Sequence, residues 1–283
     1  MTRSSDSEIF GFDAYTPREI ASRVEKVGVA KTKLPLLSLA MLGVLAGAFI
    51  GLGALYFVLI KSDSSIGFAA GQALGGLAFS LGLILVIVAG AELFTGNNLL
   101  AMAWADGKVS SLDVVKNWTV ICLANFAGAA GLALLVFYSG HPAMNDGEIA
   151  RKYLEIAQAK CALPFWPAFF RGVLCNILVC MAVWMSLAGR TVTDKAIAIV
   201  FPISAFVAAG FEHSIANMYL IPMGMLLKAS GDHAHLYDAV SWSGLFGNLV
   251  PVILGNLAGG SVLVGLVYYV IFLRPKSGPE KPS

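Results

Sequence analysis

Six apolar stretches, at 34–60, 66–103, 117–138, 163–188, 196–227 and 239–273, follow one another along the chain with short polar links between them. Each is long enough to cross about 30 Å of hydrocarbon at about 1.5 Å per residue, so the pattern predicts membrane-spanning helices. The second and fifth are too long for a plain crossing and carry polar residues near their middles. In the fifth, "AAGFEHSIANM" sets Glu212, His213, Ser214 and Asn217 inside an otherwise apolar run. A polar lead of 33 residues precedes the first stretch and reads as a short interfacial helix, with Thr16 as cap, Pro17 at its first position and Glu19 in its first turn.

Composition agrees with this pattern. Hydrophobic residues make up 58% of the chain and charged ones 13%, where soluble domains hold about a quarter charged. No cleaved signal peptide is expected, because the chain does not open on a short apolar core followed by a small-residue cleavage site. With six crossings both ends share a side, which collects thirteen basic residues, among them Arg18, Lys31, Lys108, Arg190 and Lys195, against six on the other. That bias puts both termini in the cytoplasm. A single transmembrane domain is therefore expected over 1–283. It divides into a cytoplasmic lead (1–33), a first half (34–138), an outward loop (139–162), a second half (163–273) and a cytoplasmic tail (274–283). Cys122, Cys161, Cys175 and Cys180 form no CxxC pair and have no histidine at ligand spacing, so neither a disulfide nor a metal site is expected. The His233 and His235 pair falls in an outward loop and reads as exposed. A net charge of +2 without a basic cluster gives no reason to expect nucleic acid.

The second and fifth stretches match. "GAELFTGNN" and "GFEHSIANM" both read G-x-E with Asn five residues after the Glu, which aligns Glu92 with Glu212 and Asn97 with Asn217 at a constant offset of 120 residues. Three crossings separate the copies, so they run through the bilayer in opposite directions, as in inverted-repeat transporters. "NFAGAAG" and "NLAGG" in the third and sixth stretches agree more weakly. The expected fold is all-α, with six membrane helices in two inverted three-helix repeats, helices two and five interrupted, in an aquaporin-like arrangement.

The breaks are expected between Gly82 and Gly90, across a β-branched run, and between Pro202 and Gly210. Backbone released there must be satisfied by protein or line a polar cavity. Half-helices opening near Glu92 and Glu212 would turn amide donors inward, which favours an anion, and each glutamate is expected to cap the half-helix it opens. His213 is the one histidine within an apolar stretch. A buried histidine in a soluble protein is more often a hydrogen-bonded core residue, but in a membrane an intramembrane titratable group usually faces a path. His213 is thus expected to line a pore, with Thr95 offering it a hydroxyl across the repeat interface. Asn97, Asn98 and Asn217 are expected to tie helices together, while Asn176, Asn248 and Asn256 need buried partners. Phe79 and Phe206 flank the breaks and would form one apolar constriction; Leu83 and Leu93 would form another beyond the histidine. Lys160, where the outward loop re-enters the membrane, would draw anions to a mouth.

"FSLGLILVIVAGAELFTGNN", "KNW…NFAG", "NILVCMAVWMS" and "GFEHSIANMYLIPMGM" together resemble the formate/nitrite transporter family, over about residues 16–270. That resemblance implies a homopentamer in the bacterial inner membrane, each protomer with its own pore for small monovalent anions and protons, and no cofactor. It places Thr95 against His213, Phe79 with Phe206 at the outer constriction and Leu83 with Leu93 at the inner one. Lys160 corresponds to a vestibule lysine and Asn176 to an asparagine placed near it. It further implies that a weak-acid anion meets the histidine, gains a proton or hydrogen bond, and crosses as the neutral acid. The bulky Phe79 and Phe206 favour formate, with nitrite, hydrosulfide or a proton-coupled formate carrier as alternatives.

Other classes fit less well. Glu212, His213 and Ser214 are consecutive, so on a helix they point about 100° apart and cannot converge as a hydrolytic triad. The Asn-Pro-Ala pair of aquaporins is missing from both copies, and a structural scaffold would not need broken polar helices.

Overall fold

The structure is a computed structural model that describes residues 14–231 and 236–274. Among these, secondary structure is helical throughout. α1 (Pro17–Thr32) starts with a full capping box in which Thr16 and Glu19 bond each other's backbone N–H. It is followed by α2 (Leu36–Lys61), α3 (Phe68–Ala89), the short α4 (Phe94–Asn97) and α5 (Leu100–Ala105), then α6 (Ser111–Tyr138). The second half holds α7 (Glu148–Cys161), α8 (Phe165–Ser186), α9 (Val192–Ala208), α10 (Ser214–Ser230) and α11 (Trp242–Leu257). From Ala258 the last helix continues in wider π turns to Leu273.

Among the described residues, five helices are long and apolar enough to cross a membrane: α2, α3, α6, α8 and the Trp242–Leu273 run. The chain is an all-α multi-pass membrane protein. The fifth apolar stretch does not add a sixth uninterrupted span because it is cut into α9 and α10, of 17 residues each. His233 and His235 lie outside the described residues.

The expected breaks are real but displaced. The runs after Gly82 and Pro202 are helical up to Ala89 and Ala208, and the chain leaves the helix only at Gly90 (φ +82°) and Gly210 (φ +71°). Without water to satisfy freed amides, a β-branched run keeps its internal bonds, and the helix ends where glycine can enter the left-handed region. Beyond each glycine three residues, 91–93 and 211–213, are non-helical before the next helix starts.

Packing follows small residues. α2 lies against α3 and α6, α8 against α9 and α11, and α3 against α9. A Cβ on Gly128 would stand 1.9 Å from the Val44 carbonyl oxygen, and one on Gly259 would stand 2.2 Å from that of Val173. These backbones touch, which is the contact small residues allow between membrane helices. α7 packs on α10 at one face of the bundle, and α1 packs on α5 and the end of the last helix at the other.

Candidate functional site

Each break is held by an asparagine from the helix behind it. Asn125 of α6 accepts from Phe94 N–H (2.9 Å) and donates to the carbonyls of Gly43 and Glu92. Asn256 of α11 accepts from Ser214 N–H (3.0 Å) and donates to the carbonyls of Gly172 and Glu212. One side chain thus satisfies a freed amide and a freed carbonyl at the break, as buried backbone requires, and ties them to a mid-helix carbonyl of the neighbouring span. The match between "NFAGAAG" and "NLAGG" carried this signal, although only Asn256 stood out as needing partners.

The glutamates do something other than capping. Glu92 Oε2 accepts from Asn97 Nδ2 (2.8 Å) and faces Lys31 Nζ at 3.1 Å. Asn97 also bonds Asn117 (3.0 Å), and Lys31 donates to Asn97 Oδ1 (2.7 Å). In the second half Glu212 accepts from Asn217 (2.6 Å) and Lys160 (2.9 Å), and Asn217 donates to Asn248 (2.7 Å). With the amides already bonded to asparagines, each carboxylate is free to neutralise a lysine instead. Lys160 therefore does not stand alone at a mouth; its charge is shared with Glu212. Lys31 and Asn117 were given no role at the site by the pattern of the chain, because their neighbours are ordinary helix residues.

Between the breaks, Thr95 Oγ1 lies 3.1 Å from His213 Nε2. His213 is the N-cap of α10, and its Nδ1 accepts from Ala216 N–H (3.1 Å). That bond settles the tautomer: an acceptor Nδ1 leaves the ring proton on Nε2, so Nε2–H donates to Thr95 Oγ1. The Thr95 hydroxyl hydrogen is then left for another acceptor. The neighbouring side chains diverge from any triad: Glu212 faces Lys160 while His213 bonds backbone.

Around this pair Ile50, Phe79, Leu83, Leu93, Val179, Ile203 and Phe206 close the space to less than a water. Phe79 and Phe206 meet edge to face with centroids 5.6 Å apart, and Phe206 stacks on His213 at 5.8 Å. On the α7 face a cavity of about 110 Å³ is lined by Phe79, Phe206, Lys160, Glu212 and His213. On the α1 face one of about 230 Å³ reaches Lys31, Glu92, Asn97 and Lys195. Asn176 is elsewhere: it is fully buried and donates to the backbone of Thr95 and Asn256 and to Asn98, with no bond to Lys160. It positions the Thr95 segment rather than lining a cavity, since α8 presents it to the break.

Two cavities facing each other across a closed, histidine-containing neck between two helix breaks define a membrane transport protein. The chain belongs to the formate/nitrite transporter family, whose sequence profile matches residues 18–270; this sets it among transporters and not enzymes. It is 38% identical over 275 residues to "Formate channel FocA" of Escherichia coli (strain K12), covering 93% of this chain and 96% of the relative. It is also 38% identical over 260 residues to "Uncharacterized transporter YrhG" of Bacillus subtilis, covering 90% and 93%. Among solved structures, "Pentameric formate channel with formate bound" superposes with a TM-score of 0.79 at 36% identity, covering 84% of this chain and 98% of that one. "FNT family ion channel" gives 0.80 at 31%, covering 89% and 98%.

Proposed function

We propose that the chain is a channel for formate and similar small monovalent weak-acid anions, each protomer of a homopentamer carrying its own path through the inner membrane. The Thr95–His213 pair in the closed neck carries this reading, together with relatives named as formate channels. The finer architecture belongs to it as well. Six crossings, with α3 to α5 as the broken second and α9 with α10 as the broken fifth, form two inverted halves, and both termini face the cytoplasm. The paired networks of Asn125 with Glu92 and Asn256 with Glu212 support the repeat. The proposed domain limits extend at one point: Lys31 of α1 and Lys160 of α7 play the same part, so each half includes its amphipathic helix.

A bare anion in the apolar neck pays a large desolvation cost, whereas its conjugate acid pays much less. The neck between Phe79, Phe206, Leu83 and Leu93 thereby selects for anions able to take a proton. Where the neck meets the cavity that His213 lines, the Thr95 hydroxyl, oriented by His213 Nε2–H, donates a hydrogen bond to the anion before it takes its proton. A second proton on His213 would have to sit on Nδ1, opposite Ala216 N–H, and would break the cap of α10. His213 accordingly assists as a neutral donor through Thr95, and the proton reaches the anion from water in the cavities.

The test is flux into liposomes of formate, nitrite, hydrosulfide and chloride from about pH 5 to about pH 8, for wild type and His213→Asn. Formate should far exceed chloride and rise with acidity. Asparagine keeps a capping side chain, so the variant should lose rate yet retain the slope against pH; loss of the slope would return proton exchange to His213. Equal chloride and formate flux would defeat the reading, and acceleration by substrate on the far side would make the protein a carrier.

A further inference from the structure

Lys31 and Lys160 are each neutralised by a glutamate, so neither gives its cavity a net positive charge. Arg151 is likewise paired with Glu148 and Glu155, and Lys152 with Glu155 (2.6 Å). One cation lining the cavity on the α1 face is different. Lys195, in the first turn of α9, lines the 230 Å³ cavity and has no ion pair among the described residues. The adjacent Asp194 carboxylate is turned away, accepting from the N–H groups of Arg190 (3.0 Å) and Thr191 (2.9 Å) in the capping box.

The other mouth has a counterpart reached by a different route. At the repeat offset of 120 residues Lys195 falls on Gly75, which carries no charge. A Cβ on Gly75 would meet the Phe57 ring at 2.9 Å and the Lys61 stem at 3.6 Å. Lys61 of α2 thus passes over the place that symmetry gives to Lys195, one turn beyond Phe57, which lines the cavity on the α7 face. Its Nζ donates to the neutral Gln72 Oε1 (2.7 Å), and Gln72 donates to the Ala208 carbonyl. Among the described residues it too has no carboxylate partner.

We propose that Lys195 and Lys61 are the entry residues of the two mouths, each supplying the uncompensated positive charge that concentrates anions in its own cavity. The proposal rests on the channel reading above. A charge acting at a distance speeds arrival, and its influence is lost when salt screens it. Neither residue touches the neck, so selection among anions stays with Thr95, His213 and the apolar ring.

The experiment is anion current in planar bilayers for wild type, Lys195→Gln, Lys195→Arg and Lys61→Gln, with formate, nitrite and chloride offered singly. Ionic strength is set separately on each side at about 10 mM or about 1 M. At low ionic strength Lys195→Gln should lower the current of anions entering from the α1 face about two- to fivefold, and Lys195→Arg should restore it. Lys61→Gln should do the same from the opposite face, and both deficits should vanish at high ionic strength. Full current in Lys195→Gln at low ionic strength, or a deficit equal from both faces and insensitive to salt, would overturn the assignment. Formate impermeability with current from another anion would defeat the substrate reading alone, because the lysine effect is read on whichever anion conducts. A wild type silent to all three defeats both.

Discussion

At the scale of single residues, the Thr95–His213 pair depends on which nitrogen carries the proton. Because Nδ1 is engaged by Ala216 N–H, Thr95 accepts from the ring and donates onward. Thr95→Val keeps the shape but removes both functions, whereas Thr95→Ser keeps both. A hydrogen bond to a charged acceptor is worth about 1.5–3 kcal/mol, so formate flux in Thr95→Val should fall by one to two orders of magnitude. Thr95→Ser should remain within about threefold of wild type, as read by stopped-flow uptake into liposomes. Equal loss in both would place the effect in packing around Phe79 and Phe206 and not in the hydroxyl. This pairing across 118 residues was visible in the chain once the two G-x-E strings were aligned. The role of His213 as an N-cap was not, because a histidine does not announce itself as a cap in the way that Ser, Thr, Asp or Asn does.

At the scale of elements, close contact between helices is controlled by single glycines. Gly128→Ala would drive a Cβ into the Val44 carbonyl at 1.9 Å, while the same change at Gly131, on the same helix, meets nothing within 4 Å. Gly128→Ala should abolish a monodisperse, heat-stable preparation in detergent; Gly131→Ala should behave as wild type. Both glycines belong to "NFAGAAG", and only the packing distinguishes them. The seat of α1 is a second case. Glu25 is buried and bonded by Lys108 Nζ (2.6 Å), which also pairs with Asp106 (3.0 Å). Burial, opposed by Lys108, raises the Glu25 carboxyl above its ordinary 4.5. A carboxyl whose folded value is raised contributes stability that is complete below its unfolded value and is lost as pH rises through the folded one. Asp106 is shifted the other way, chiefly by its bond with Glu25, so its contribution is lost only on acidification below its ordinary 3.8. Hydrogen exchange in α1 should therefore speed up as pH rises from about 4.5, after correction for the intrinsic rate, and Glu25→Gln should flatten that trend. A trend unchanged in Glu25→Gln would assign it to another group.

At the scale of the whole molecule, the two halves repeat a network as well as a motif. Asn125 and Asn256 make the same three bonds to equivalent backbone groups. Truncating either strands a buried amide and the one break carbonyl, at a cost of about 1–3 kcal/mol per unsatisfied group. Asn125→Ala and Asn256→Ala should thus lower the thermal midpoint in detergent by similar amounts, and a large effect in one with none in the other would refute an equivalent role for the two halves.

The chain by itself determined that the protein lies in a membrane, where its apolar helices run, that its second and fifth stretches break, and which polar residues sit at those breaks. These are local properties: hydrocarbon demands a minimum apolar length, and a titratable group within it needs a reason. Tertiary structure decided the rest. It moved the breaks to Gly90 and Gly210, since backbone without water to bond stays helical for as long as it can. It gave the capping work to Asn125, Asn256 and His213, and freed Glu92 and Glu212 to neutralise Lys31 and Lys160. Partners such as Lys31 and Glu92 lie 61 positions apart, and no periodicity within one helix reports which distant side chain will arrive to satisfy a buried charge.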